Sequence, residues 1–268
     1  MASKWGLAFA DNHSGSKWAL RLPGTVPDTG LGADAFRRLA TALYGKHMKC
    51  VRAYQRPDFL LWLGDGVAGS NKADKGMGVW TPDLNEQFGA CIPLLNAYHA
   101  KHVYGVKGSR YHVGDNQLAD ELILQNLDNA VPVNDRYAPP HRYLEICGAI
   151  IHIAHKLGGT RVFQYRGTPI SRMLTMNRVM SQQTEVYKAN LILRGHVHNY
   201  YEVRAGMNSF AATVPCWTAQ DDYAAFEEPF VWMPHIGVLL IEICNGKVST
   251  TPVLVDLPEQ RPPLEKVR

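Results

Sequence analysis

The sequence predicts a layered α/β fold of two sheets packed face to face with helices outside, and three observations carry that expectation. Short apolar runs alternate with amphipathic ones over the first half of the chain, as strands and helices do when stacked in layers. From "NLILRGHVHNYYEV" onward the signal is almost wholly β. The 268 residues are 46% hydrophobic and only 19% charged, which supplies a sizeable core and places the chain among compact, loop-bearing proteins.

The elements follow in order. "GLAFAD" reads as a first strand, and residues 34 to 50, opening at Asp34, as a helix. "DFLLWLGD" is a second strand and "DLNEQFGACIPLLNAYHA" a second helix; "HVYGVKG" and "NQLADELILQNL" repeat the pair. The run "YLEICGAIIHIAHK" is too long for one average strand, so Cys147 and Gly148 are expected to turn a hairpin. Residues 170 to 190 look helical, and Asn245-Gly246 marks a turn in the closing β run. Residues 14 to 33 and 66 to 83 form long loops of the kind used as lids, binding loops or plain surface excursions. The tail over 255–268 is expected to be extended.

Charge and cysteine usage exclude several classes. The formal net charge of +4 is spread along the chain without a basic block, which is compatible with a polyanionic ligand and does not demand one. Five widely spaced cysteines without a CxxC pair argue against a disulfide framework and against a thiolate metal site, and read as buried thiols in a reducing compartment. "MASKWGLAFAD" lacks a signal-peptide core and no run approaches a membrane span. The expected location is the cytoplasm, that of a host cell if the protein is viral, with no membrane partner.

The chemistry gathers where strands are expected to end, which is where open α/β sheets build their sites. Asp11 and His13 follow the first strand, two residues apart, so that in an extended segment both side chains reach one ion. Gly64-Asp65 follows the second, and the two oxygens of that carboxylate suit a bridge between cations. His152 and His155 end the run before Gly158; His155 at its exit is the expected ligand and His152 the expected packing residue. Gly195-His196-Val197-His198 ends a further strand with two imidazoles one residue apart, an arrangement suited to adjacent ions.

Taken in this order, DxH, GD, a strand-terminal His and GHxH resemble the signature of the calcineurin-like metallophosphoesterase superfamily, over roughly residues 7 to 200. The resemblance implies a single domain over 1–268, a four-layer α/β/β/α sandwich with a two-metal centre at one edge. It implies that Asp11, His13 and His198 hold one ion, that Asp65 bridges both, that His155 and His196 hold the second, and that a water or hydroxide between the ions is the nucleophile. Manganese is the first expectation for the two divalent ions, with iron, zinc and nickel also suited to mixed imidazole and carboxylate ligands.

The third family motif departs. Where Gly-Asn-His-Asp or Gly-Asn-His-Glu is usual, this chain reads "VKGSRYHVG", with Gly108 kept, Ser109 in place of the metal-ligating Asn and Arg110 in place of the His. Ser109 is then a weak substitute ligand, His112 the expected proton donor to the leaving group and Arg110 its partner on the phosphate. The variant form resembles virus-like or prokaryotic members. Lys17, Arg166 and Tyr200, close to the motif loops, are candidate substrate contacts, and Lys72, Lys75, Arg172 and Arg194 add positive charge near the expected mouth. The function implied is hydrolysis of a phosphate ester, as a phosphodiesterase acting on DNA, RNA or a nucleotide. A phosphomonoesterase and a non-catalytic interaction module keeping the fold stay open beside it.

Overall fold

The computed structural model describes residues 3–257, apart from 26–32, 71–75, 77, 114–117, 161, 185, 207 and 222–232. Among these residues ten strands form two five-stranded mixed sheets, ordered β10-β9-β1-β2-β3 and β4-β5-β6-β8-β7. The first sheet holds β1 (Ser3–Phe9), β2 (Phe59–Trp62), β3 (Val103–Gly105), β9 (Gly237–Cys244) and β10 (Lys247–Leu254). The second holds β4 (His141–Ile146), β5 (Ala149–Ala154), β6 (Leu191–Arg194), β7 (Glu202–Arg204) and β8 (Phe210–Thr213). Each contains three parallel strands, β1, β2 and β3 running to one edge of the first sheet and β5, β6 and β8 forming the middle of the second.

Strand alternation sorts the apolar side chains into layers. Ala8, Leu61, Ile151, Ile153, Leu191, Leu193, Leu239 and Ile241 fill the space between the sheets. Their neighbours Leu7, Phe9, Leu60 and Trp62 face outward against α1 (Ala33–Ala53), α2 (Leu84–Asn96) and α4 (Ala119–Gln125). On the far side Ile192 and Ala211 pack on Ile170 and Leu174 of α5 (Thr168–Gln183). Helices therefore cover both outer faces, as the α/β/β/α expectation requires. Fully burying side chains of this size contributes roughly 1.5–3 kcal/mol each.

Local chemistry accounts for the elements. The face of α1 that meets the sheet carries Leu39, Leu43, His47 and Cys50, spaced three and four residues apart. Asp83 caps α2, its Oδ1 accepting from the Asn85 N–H at 2.8 Å. Cys147 and Gly148 both take positive φ and turn the β4-β5 hairpin, and Asn245 and Gly246 do the same between β9 and β10. The two tips meet, the Gly246 N–H donating to the Cys147 carbonyl at 2.7 Å, so the sheets are tied together at one end while the strand C-termini lie at the other.

Several expectations need correcting. Cys50, Cys91 and Cys216 are buried, but Cys147 sits half-buried on the hairpin turn and Cys244 is exposed at the end of β9; all five are free thiols. The α5 helix ends at Gln183 rather than 190, and Thr184 takes an extended backbone with φ −139° and ψ 174°. A short helix, α3 (Arg110–Val113), precedes α4 and was not anticipated. The first part of the 14–33 loop is pinned rather than lid-like: Leu20 is fully buried and Ser14, Ser16 and Ala19 bridge to Val67, Val79 and Thr218. The rest of that loop from 26 to 32, and the tail from 258, lie outside the described residues. No helix among the described residues is long and apolar enough to cross a membrane.

His47 supplies a stability prediction. It is fully buried between the rings of Tyr98 and Trp217, at 5.3 and 4.9 Å, and burial lowers its pKa from 6.5 to about 3. Between those values the unfolded chain binds a proton that the folded chain refuses, so this contribution is complete above 6.5 and is lost as pH falls through the window, by at most about 1.4 kcal/mol per pH unit. Urea titrations from pH 7 to 4 should show His47→Leu losing less stability than the wild type; equal slopes would contradict this account of His47.

Candidate metal centre

The chain positions its Asp and His residues just past the C-termini of two neighbouring strands in each sheet, β1 and β2 in one and β5 and β6 in the other. Backbone pairing continues beyond the strands: the Asp11 N–H donates to the Gly64 carbonyl, that of His13 to Asp65 and that of Gly195 to His155, each at 3.0 Å. The loops carrying the motifs are thereby locked to one another. An extended backbone is not what aligns the side chains of DxH and GHxH, however. Asp11, His13, Asp65, His196 and His198 all have φ between 46° and 76°, a left-handed conformation costing on the order of 1–3 kcal/mol per residue and characteristic of functional sites. Five such residues turn their side chains toward one point.

That point is crowded with ligand atoms. Asp11 Oδ1 lies 3.3 Å from His198 Nε2, 3.5 Å from His13 Nε2 and 3.9 Å from His155 Nε2. Asp65 Oδ2 lies 3.0 Å from His155 Nε2 and 3.9 Å from His13 Nε2. Three sets of side chains each bring one nitrogen or oxygen apiece within 4.8 Å: Asp11, His13 and His198; Asp65, His155 and His196; and His13, Asp65 and His112. Ligands about 2.0–2.2 Å from a common ion sit ~3–3.5 Å apart, so the donor set fits cations. Asp11 Oδ1 and His13 Nε2 are buried without a hydrogen-bond partner among the described residues, a costly state unless another group satisfies them.

The electrostatics describe the same concentration of charge. Burial opposes the Asp11 and Asp65 charges, yet the surrounding imidazoles outweigh it, holding Asp11 well below the carboxylate range and Asp65 at about 2. Burial likewise opposes a charged His155, but Asp65 and Asp11 together raise it to about 10. His13, where burial dominates and His112 adds to it, falls to about 3. In the metal-free chain the carboxylates thus take an imidazolium as counter-ion, the place a metal cation would fill.

Supporting contacts aim the ligands. His155 Nδ1 lies 2.7 Å from the Leu63 carbonyl; a carbonyl only accepts, so Nδ1 carries a proton and Nε2 is the nitrogen turned to the site, whose own proton a cation would replace. Asp11 Oδ2 accepts from the His196 N–H at 2.9 Å. Ser109 donates both its N–H, at 2.6 Å, and its hydroxyl, at 3.0 Å, to Asp65. It therefore orients the shared carboxylate. Gly108 makes this possible, since a Cβ there would lie 1.9 Å from Asp65 Oδ1.

Asp120 is the member that reading the sequence missed. It is fully buried, and its carboxylate accepts from the N–H groups of Asp65, Gly66 and Gly108 at 3.1, 3.0 and 2.6 Å, fastening two ligand-bearing loops together. Burial, reinforced by the Asp65 charge, raises its pKa to about 7. An acidic residue in the first turn of a helix reads as a partner for the helix dipole, and only the burial of its neighbours Ala119, Ile123 and Leu124 hints otherwise. Asp120→Asn, which turns one acceptor oxygen into a donor facing N–H groups, is expected to weaken metal binding by about 10–100-fold. Calorimetric titration checks this, and unchanged affinity would assign Asp120 to folding alone.

The remaining candidates are distributed around this centre. The His112 ring packs 4.0 Å from that of His13, while Arg110 is exposed at the start of α3. Lys17 reaches over the Phe36 ring, and Arg166 Nη1 bonds the Tyr201 hydroxyl at 3.2 Å. Tyr200 packs on the core between the sheets and donates its hydroxyl to Glu202 at 2.9 Å. Arg172 is exposed on α5, and Lys72 and Lys75 lie outside the described residues. Arg194 is not at the mouth: alternation along β6 puts it on the α5 side with Ile192, buried, donating to the Leu193 carbonyl and lying 3.2 Å from His152. His152 stacks on Tyr143 at 4.3 Å, the packing role expected of it.

No family model matches the chain, and no curated protein matches it. Among solved structures it is similar to a single-site variant of Vps29 from Entamoeba histolytica, with 13% identity, 94% of this chain and 99% of the other covered, and a TM-score of 0.43. It is similar to a conserved predicted phosphoesterase from Streptococcus pneumoniae, with 12% identity, 94% and 91% coverage and a TM-score of 0.38. Wild-type Vps29 of Entamoeba histolytica, solved with zinc, shares 13% identity over 92% of this chain and 97% of its own, with a TM-score of 0.40. The geometry of the site, rather than these likenesses, carries the functional reading.

Proposed function

We propose that this protein is a two-metal phosphoesterase, most plainly a phosphodiesterase acting on nucleic acid or nucleotides. The observation that carries the reading is the position of Asp65, which forms one ligand set with His155 and His196 and another with His13, itself a member of the Asp11 and His198 set. Asp11, His13 and His198 would hold one cation, His155 and His196 the other, with Asp65 common to both. Bound there, a pair of divalent ions supplies Lewis acidity, acidifies water and stabilises the attacking and leaving oxygens of an in-line displacement.

The chain's own residues prepare that chemistry. Ser109 and Asp120 hold the Asp65 loop through hydrogen bonds to Asp65 and Gly66, Asp120 also holds Gly108, and the Leu63 carbonyl fixes the His155 ring. Such pre-set ligands need little rearrangement to meet an ion. The net charge of +4 and the exposed Arg110 beside the centre favour a polyanionic diester. The Ser at 109 keeps a non-catalytic metal-binding module in view as a second reading, because it leaves Asp65, His155 and His196 without the family's fourth ligand.

The metal-stripped protein should be assayed with manganese, iron, zinc and nickel added back in turn, against bis-aryl and mono-aryl phosphates, linear DNA and RNA. We expect ion-dependent hydrolysis preferring the bis-aryl compound by at least about tenfold, some 1.4 kcal/mol. Preference for the mono-aryl compound would make the protein a phosphomonoesterase. Bound metal without turnover on any substrate would favour the non-catalytic module.

A further inference from the structure

The third ligand set, His13, Asp65 and His112, is not accounted for by the two-ion scheme. The α3 segment that carries His112 is pressed onto the loop after β2. Gly69 has φ +71°, and a Cβ there would lie 2.5 Å from the His112 carbonyl oxygen, so the contact depends on that glycine. His112 Nδ1 lies 3.0 Å from the Ala68 carbonyl, which fixes the proton on Nδ1 and leaves the lone pair on Nε2. The arrangement repeats that of His155 on Leu63, and it is how metal-bound histidines are held. Beside the His112 ring, His13 is 8% exposed and its Nε2 has no hydrogen-bond partner among the described residues, and Asp65 is 1% exposed.

We propose that His112 is a metal ligand, joining Asp11, His13, His198 and Asp65 around the first ion and making the two sites unequal. Ser109, spent on Asp65, adds nothing to the second ion, which is left with Asp65, His155 and His196. Coordination is thereby moved from the second site to the first. The same lone pair cannot hold a cation and also carry the proton for a leaving group, so the role expected for His112 from sequence is set aside. The inference rests on the two-metal reading above, and its test separates the two.

Calorimetric titration of the metal-free full chain with manganese chloride should resolve a tighter and a weaker ion. His112→Ala should weaken the tighter one by at least about tenfold and leave the weaker within about threefold. His112→Gln, which retains a donor oxygen, should fall between, and the cobalt-loaded variants should show a shifted visible spectrum for the tighter ion only. A wild type that binds no ion would overturn the metal reading itself. A wild type binding two ions with both affinities unchanged in the variants would overturn only the role of His112, as would a variant whose sole defect is slower turnover of substrates with poor leaving groups. If His112→Ala fails to fold, the Gln variant and its cobalt spectrum decide the matter.

Discussion

Asp65→Asn is expected to leave the protein folded while reducing its metal content from two ions to one or fewer and its phosphodiester hydrolysis by about 10³-fold or more, roughly 4 kcal/mol of transition-state stabilisation. The size follows from the position of Asp65, which belongs to two of the three ligand sets and lies within 4 Å of both His13 and His155. Asn keeps the shape, its oxygen can still accept from the Ser109 N–H, and its NH2 in place of Oδ2 can donate to the Ser109 hydroxyl, so the loss reports charge and coordination rather than packing. Metal analysis of the purified variant, with circular dichroism to verify the fold, makes the comparison. A variant retaining both ions at wild-type affinity would show that the carboxylate is not shared.

Metal addition carries the second large effect. The site gathers two carboxylates and five imidazoles, holds five of those residues in left-handed backbone conformations and leaves Asp11 Oδ1 and His13 Nε2 without hydrogen-bond partners among the described residues. A cation that binds only the folded chain stabilises it by about 2.7 kcal/mol at one hundred times its dissociation constant. For a chain of this size that raises Tm by roughly 5–10 °C. Scanning calorimetry with and without saturating manganese should show the rise, and EDTA should reverse it. His47→Leu should show the same rise, because that residue packs between Tyr98 and Trp217 and is no part of the ligand sets. An unchanged Tm on saturation would count against a site built to receive ions.

The fold was legible where periodicity is strong. The apolar strands "GLAF" and "FLLW", the hairpin at Cys147 and Gly148 and the turn at Asn245 and Gly246 all stand where the pattern puts them. Short or interrupted elements were less so: nothing in "SRYHV" separates the α3 turn from a loop, and α5 stops at Gln183 although the residues after it look equally helical. At the site, the six motif positions converge, five of them by left-handed turns rather than by strand alternation, a backbone choice that residue identity does not announce. Asp120 was invisible because its three acceptor contacts join segments that are 12 to 55 residues away in sequence. Arg194 was misplaced because proximity to Gly195 in sequence says nothing about which face of β6 a side chain takes.

The most direct measurement is anomalous scattering from crystals of the manganese-loaded protein. The account predicts two peaks about 3.5–4 Å apart, flanking Asp65, with Asp11, His13 and His198 around one and His155 and His196 around the other. Density at neither position, or ions bound elsewhere on the chain, would contradict it.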